Sequence, residues 1–99
     1  MTTPYANTAI DTAQIAITGG AGAVKVGTGG AGASLANRLR WLGLCQDSAV
    51  QVYIGPSGVN ASTGYPLQAG IPEERFFGPA IDIYAFSATS AVLYVEEAS

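Results

Sequence analysis

Alternation of apolar and polar positions marks several short strands along this chain. Val50, Val52 and Ile54 share one face of a predicted strand, with Gln51 and Tyr53 on the other. Ile15 and Ile17 alternate with small residues across Ile10–Thr18, and Val24–Val26 forms a further short strand. Ile81–Ser87 and Ala91–Glu97 alternate cleanly around Ala88–Ser90, which predicts an antiparallel closing hairpin. Ser34–Gln46 reads two ways. Leu35, Leu39 and Leu42 fall at helical spacing, whereas on a strand Leu39, Trp41, Gly43 and Cys45 share one face and Arg38, Arg40, Leu42 and Leu44 the other. Gly43 disfavours a helix by about 1 kcal/mol relative to alanine, and Asp47-Ser48 leading into Val50 suits a hairpin.

Between these elements the chain is rich in turn residues. The hexapeptide TGGAGA at Thr18–Ala23 recurs at Thr28–Ala33, and two copies are too few for a solenoid, so they read as Gly-rich turns flanking Val24–Val26. Gly55–Ala80 holds five glycines and four prolines, which is loop chemistry over a length unusual in a compact domain; such a loop is functional or packed on a neighbour. Met1–Thr8 is polar, carries Pro4, and has Tyr5 as its one large apolar anchor, which predicts an extended arm that orders on binding. The expected organisation is an arm over residues 1–9 and a single β domain over 10–99.

Charge changes the picture. Only 11% of residues are charged, against about 25% in ordinary soluble domains, so part of the surface is expected to lie under another protein. Net charge is −3 with Lys25, Arg38, Arg40 and Arg75 as the only cations, which leaves no basic stripe for nucleic acid. No stretch approaches the roughly 18 apolar residues of a membrane span, and the N-terminus does not read as a signal peptide; the expectation is a soluble chain with no membrane partner.

Catalytic chemistry is hard to assemble. Histidine is absent, so no serine, threonine or cysteine has its usual base, and Cys45 beside Leu44 reads as a small buried hydrophobe. Glu73-Glu74 and Glu96-Glu97 are adjacent pairs whose members point to opposite faces of a strand; both read as solvated charge, the second also guarding the edge of the last strand. Metal ligation lacks His and any spaced Asp series, and no cofactor or metal is expected. Gly27–Gly32 matches G-x-G-x-x-G and would bind a dinucleotide only if Ser34–Leu44 were a helix, with Asp47 near the ribose position; the short chain and its hairpins make this a remote alternative. Asn60-Ala61-Ser62 reads as a turn rather than a glycosylation acceptor. Tyr65, Phe76 and Phe77 are either a satellite core under the long loop or anchors of a subunit interface.

The string Val24–Thr28, then Leu35, Arg38 and the run to Gln46, then Val52–Gly55, Ser57–Val59, Ser62–Gly64, Pro66-Leu67 and Gly70, closing with Ile83–Ala85 and Val92–Val95, resembles a small β-rich module of tailed-bacteriophage structural proteins. Its most specific part is Val52–Leu67, VYIGPSGVNASTGYPL, and the resemblance spans about three-quarters of the chain. It departs from the pattern at Gly19–Ala33 and at Pro72–Pro79, which carries Arg75-Phe76-Phe77. The resemblance implies that Ser34–Gln46 is a strand and that the protein is a non-enzymatic virion component.

The expected fold is all-β, a small antiparallel β-barrel or β-sandwich of about six or seven strands with a long Gly/Pro-rich loop. The expected function is that of a capsid decoration or cement protein on the virion surface, binding the major capsid protein and itself as a homo-oligomer, a trimer by analogy. Candidate interface residues are Pro4, Tyr5, Tyr65, Arg75, Phe76 and Phe77. The alternative is a tail, collar or fibre module that stacks host sugars on Tyr53, Tyr65, Phe76 or Tyr84.

Overall fold

The computed structural model describes residues 9–99, and among them every regular element except one short 3-10 turn is a strand. Eight strands are formed, β1 Ile10–Ile17, β2 Val24–Lys25, β3 Arg40–Leu44, β4 Val52–Gly55, β5 Tyr65–Pro66, β6 Glu73–Arg75, β7 Tyr84–Ser87 and β8 Ala91–Ala98. They make two antiparallel four-stranded sheets, ordered β1-β8-β3-β6 and β2-β7-β4-β5.

The inward rows follow the alternation. Ile17, Trp41, Leu93 and Val95 from the first sheet meet Val52, Ile54 and Ala85 from the second in one apolar cluster, which Val26, Cys45, Leu67 and Ile83 complete from the connections. Cys45 is buried as expected, and Asn60 is a turn residue whose side-chain oxygen accepts from the amides of Ser62 and Thr63. Trp41 lies across its strand neighbour Gly43: a Cβ there would come within 2.2 Å of the indole. Gly43→Ala is therefore expected to overpack the core and cost about 1–3 kcal/mol, read as a lower urea midpoint with unchanged m-value.

Neither predicted hairpin forms. β7 pairs β2 and β4, while β8 pairs β1 and β3, so Ala88–Ser90 carries the chain from one sheet to the other. That link is held by Ser87, whose hydroxyl donates to the Thr89 carbonyl at 2.5 Å, and by Gly19, whose amide donates to Ser90 Oγ at 3.2 Å. β3 and β4 are likewise in different sheets, with the amide of Gly70 donating to the Cys45 carbonyl beside the crossing. Period-two patterning tells which side of a strand is apolar, and two strands with the same pattern satisfy it equally as neighbours or as opposing layers.

Ser34–Gln46 is a strand only over Arg40–Leu44. Before it, Asn37 takes a left-handed conformation at φ 58° and Arg38 closes a turn onto the Leu35 carbonyl. The turn reverses the expected faces at its start: Leu39 is exposed and Arg38 is wholly buried. Glu97 is equally buried, on an interior strand, so Glu96-Glu97 guards no edge.

The two TGGAGA copies are both turns, but different ones. In the first, Gly20 alone has positive φ; in the second, Ala31 and Gly32 do, around the 3-10 turn Gly30–Gly32. The long Gly55–Ala80 connection contains β5 and β6 and is tied to the interior by Val59 and Leu67, each 3% exposed.

Candidate interaction surface

Four donors and a buried carboxylate organise one end of the molecule. Arg38 Nη1 donates to Glu97 Oε2 at 2.7 Å, and both side chains are fully removed from solvent. Glu97 Oε1 accepts from the Thr28 amide at 2.5 Å, the Thr28 hydroxyl at 3.0 Å and the Leu35 amide at 3.0 Å. The remaining Arg38 donors serve carbonyls: Nε to Phe77 at 3.0 Å, and Nη2 to Gly78 at 2.6 Å and to Ile81. A second contact, from the Ser34 hydroxyl to the Pro79 carbonyl at 2.6 Å, holds the same segment. A planar guanidinium meets several acceptors at fixed angles, which a single ammonium does not.

This network fixes Phe77–Ile81 against the molecule while leaving Phe77 and Ile81 at the surface, 36% and 50% exposed. Across from them, β5 and β6 are edge strands of the two different sheets. Arg75 on β6 lies over the Tyr65 ring on β5, 4.8 Å from its centre, and pairs with Glu73, so cation–π contact bridges the two edges. Between the bridge and the pinned segment is an apolar groove of about 290 Å³, walled by Ile54, Pro56, Tyr65, Arg75, Phe77 and Ile81.

Three of the predicted interface residues thus meet in one place: Tyr65, Arg75 and Phe77. Phe76, 43% exposed, follows β6 but does not line the groove. Pro4 and Tyr5 lie outside the described residues. Of the two readings offered for the aromatics, exposure favours a surface over a satellite core, since Val59 and Leu67 rather than the rings are buried under the loop. The residues proposed for sugar stacking do not converge: Tyr53 and Tyr84 share the outer face of the second sheet, through the pairs Tyr53–Phe86 and Gly55–Tyr84, whereas Tyr65 sits at its edge opposite inward-facing Ile54. Arg38, Glu97 and Ile81 were missed as site residues. The low count of cations made Arg38 worth a search for a partner, but nothing local pointed 59 residues away to Glu97.

Gly27–Gly32 is not arranged for a phosphate. No helix follows it, and four of its six amides are already engaged: Gly27 donates to the Gly32 carbonyl, Gly29 to the Ala33 carbonyl, Gly32 to the Gly29 carbonyl, and Thr28 to the Glu97 carboxylate. The close approach of Gly27 to Ala33, 2.1 Å from a hypothetical Cβ to the carbonyl oxygen, shows the glycine serving the chain's own packing. Among the described residues, no group of three or more His, Cys, Asp or Glu is arranged to hold a metal, and no helix is long and apolar enough to cross a membrane.

The chain matches no family model, no curated protein and no solved structure.

Proposed function

We propose that this protein is a non-enzymatic structural component of a bacteriophage virion, a decoration or cement protein that binds the major capsid protein on the outside of the head as a homo-oligomer. In this reading the two sheets pack face to face as a small sandwich over residues 10–99, and the segment before it is an arm that docks on the shell. The observation that carries the proposal is the groove of Tyr65, Arg75, Phe77 and Ile81, apolar, exposed and held in advance by a buried ion pair. Pre-organisation of this kind lowers the ordering cost of association. Burying even a few hundred Å² of such surface contributes several kcal/mol at about 25 cal/mol per Å², repeated over many sites on a shell. The low charge density of the chain supports the same reading, because a covered surface needs few solvating charges.

The test is binding of the purified chain to undecorated phage heads. Saturation at fixed stoichiometry is expected, and the Phe77→Ser/Ile81→Ser variant is expected to lose at least about tenfold in affinity while keeping the wild-type circular dichroism, since both side chains are surface-exposed. A chain that ignores heads but gives a saturable hit on a glycan array would replace this reading with the tail or fibre alternative.

A further inference from the structure

We infer that β1 is a self-pairing edge, through which two copies of this chain join their β1-β8-β3-β6 sheets into one continuous eight-stranded sheet. The two sheets have four edges, and three of them carry the features that discourage strand addition. β2 is two residues long and includes Lys25; β5 is two residues long and includes Pro66; β6 is Glu73-Glu74-Arg75, charged throughout. β1 has none of these. It runs for eight residues, IDTAQIAI, with no proline, no lysine and one charge, Asp11, near its end. Among the described residues its only ladder partner is β8, so the backbone groups of alternate residues on its far side have no strand to bond.

The occupant follows from length and symmetry. A second copy offers one free edge that matches eight residues, and it is β1 itself; like edges pair antiparallel about a two-fold axis normal to the sheet. Both copies keep their apolar faces on the same side only if paired residues share parity. Of the registers that satisfy this, two pair seven residues of each strand: Gln14 opposite Gln14, with Thr12 opposite Ala16, or Ala13 opposite Ala13, with Thr12 opposite Gln14. In both, Asp11 faces an isoleucine, Ile17 or Ile15, and never the other Asp11. In both, Gln14 lies on the axis or beside it. The pairing also joins the outer faces on which Leu42, Leu44, Val92 and Tyr94 are partly exposed.

Light scattering on the full chain is expected to give about 20 kDa, twice the 10.0 kDa chain, or an even multiple of it. Gln14→Lys brings two like charges together near the axis and is expected to halve that mass with unchanged circular dichroism. Under mild oxidation, a cysteine at Gln14 or at Ala13, whichever lies on the axis, is expected to cross-link the pair, because directly opposed strand residues fall within disulfide range. Val92→Cys, on the interior strand β8, is the control, and buried Cys45 gives no background. A monomer, a trimer, a mass that Gln14→Lys leaves unchanged, or cross-linking no better at 13 and 14 than at 92 would overturn the pairing. Mass and head binding of the wild-type chain together separate the two proposals: a monomer that still saturates undecorated heads refutes the edge and leaves head binding intact, whereas an even-numbered oligomer that Gln14→Lys splits but that ignores heads keeps the edge and refutes the capsid reading.

Discussion

Arg38→Met is expected to destabilise the fold by about 3–5 kcal/mol, the usual effect of leaving one member of a buried ion pair without its partner. Total stability of a domain this size is about 5–15 kcal/mol, so the loss is about a fifth or more of it, and the melting temperature should fall by roughly 12 °C or more. The reason is local. Glu97 would remain wholly buried, and the carbonyls of Phe77, Gly78 and Ile81 would lose their donors together. Many buried ion pairs can be exchanged for apolar residues at little cost, but this one is embedded differently. Glu97 also satisfies two amides and a hydroxyl, so an apolar replacement of both partners strands groups on Thr28 and Leu35 as well.

The double variant Arg38→Met/Glu97→Leu is accordingly expected to stay well below wild type, yet above the sum of the two single losses, with a coupling of about 0.5–3 kcal/mol in the cycle. Urea unfolding followed by circular dichroism measures all four corners. A single-variant loss under about 1 kcal/mol would mean that water reaches Glu97 and that the pair does not organise this end of the molecule. Because the same arginine holds Phe77–Ile81, residual folded Arg38→Met should also bind undecorated heads more weakly than its stability alone accounts for.

Trp41→Ala is expected to cost a further about 3–5 kcal/mol, the range for removing a large aromatic from a packed interior. The indole is 0% exposed and its Nε1–H donates to the Val26 carbonyl at 2.9 Å, so the alanine variant opens a cavity and leaves that carbonyl unpaired. Gly43 leaves the space that the ring fills, which limits how far neighbouring side chains can close over the gap. Trp41→Phe keeps most of the volume and should lose less. Circular dichroism is the appropriate signal, since Trp41 is the sole tryptophan and its replacement removes the fluorescence probe. An alanine variant within about 1 kcal/mol of wild type would contradict the placement of the ring at the centre of the core.

The two surface substitutions differ in kind from these two. Phe77, Ile81 and Gln14 are exposed, so their substitution should move binding or mass while the fold persists. Gly43→Ala stands between, a small addition to a full interior.

Much of the fold was legible in the residues. Alternation placed Ile17, Val52 and Ile54 on apolar faces, and all are buried. The run of Gly and Pro after Gly55 marked a long connection, and the aromatics on it stand at the surface. Tyr65, Arg75 and Phe77 were named from type and context alone, and they meet in one groove. What alternation cannot carry is the identity of a strand's partner. Ile81–Ser87 and Ala91–Glu97 have the pattern of a hairpin and lie in opposite sheets, because a pattern of period two is satisfied from either side of a shared core.

The remaining features were decided by contacts distant in sequence. Two identical hexapeptides adopt different turns because one packs on the Ala88–Ser90 crossing while the other closes over the Glu97 carboxylate. Arg38 and Glu97 have the local appearance of solvated charges; each is buried only because the other, 59 residues away, supplies the opposite charge there. Local chemistry determined that this chain would form short strands with a thin apolar core and a weakly charged surface. The tertiary structure decided which strands are neighbours, which edge stays open and which charges go inside, since those depend on bringing together residues that no local pattern connects.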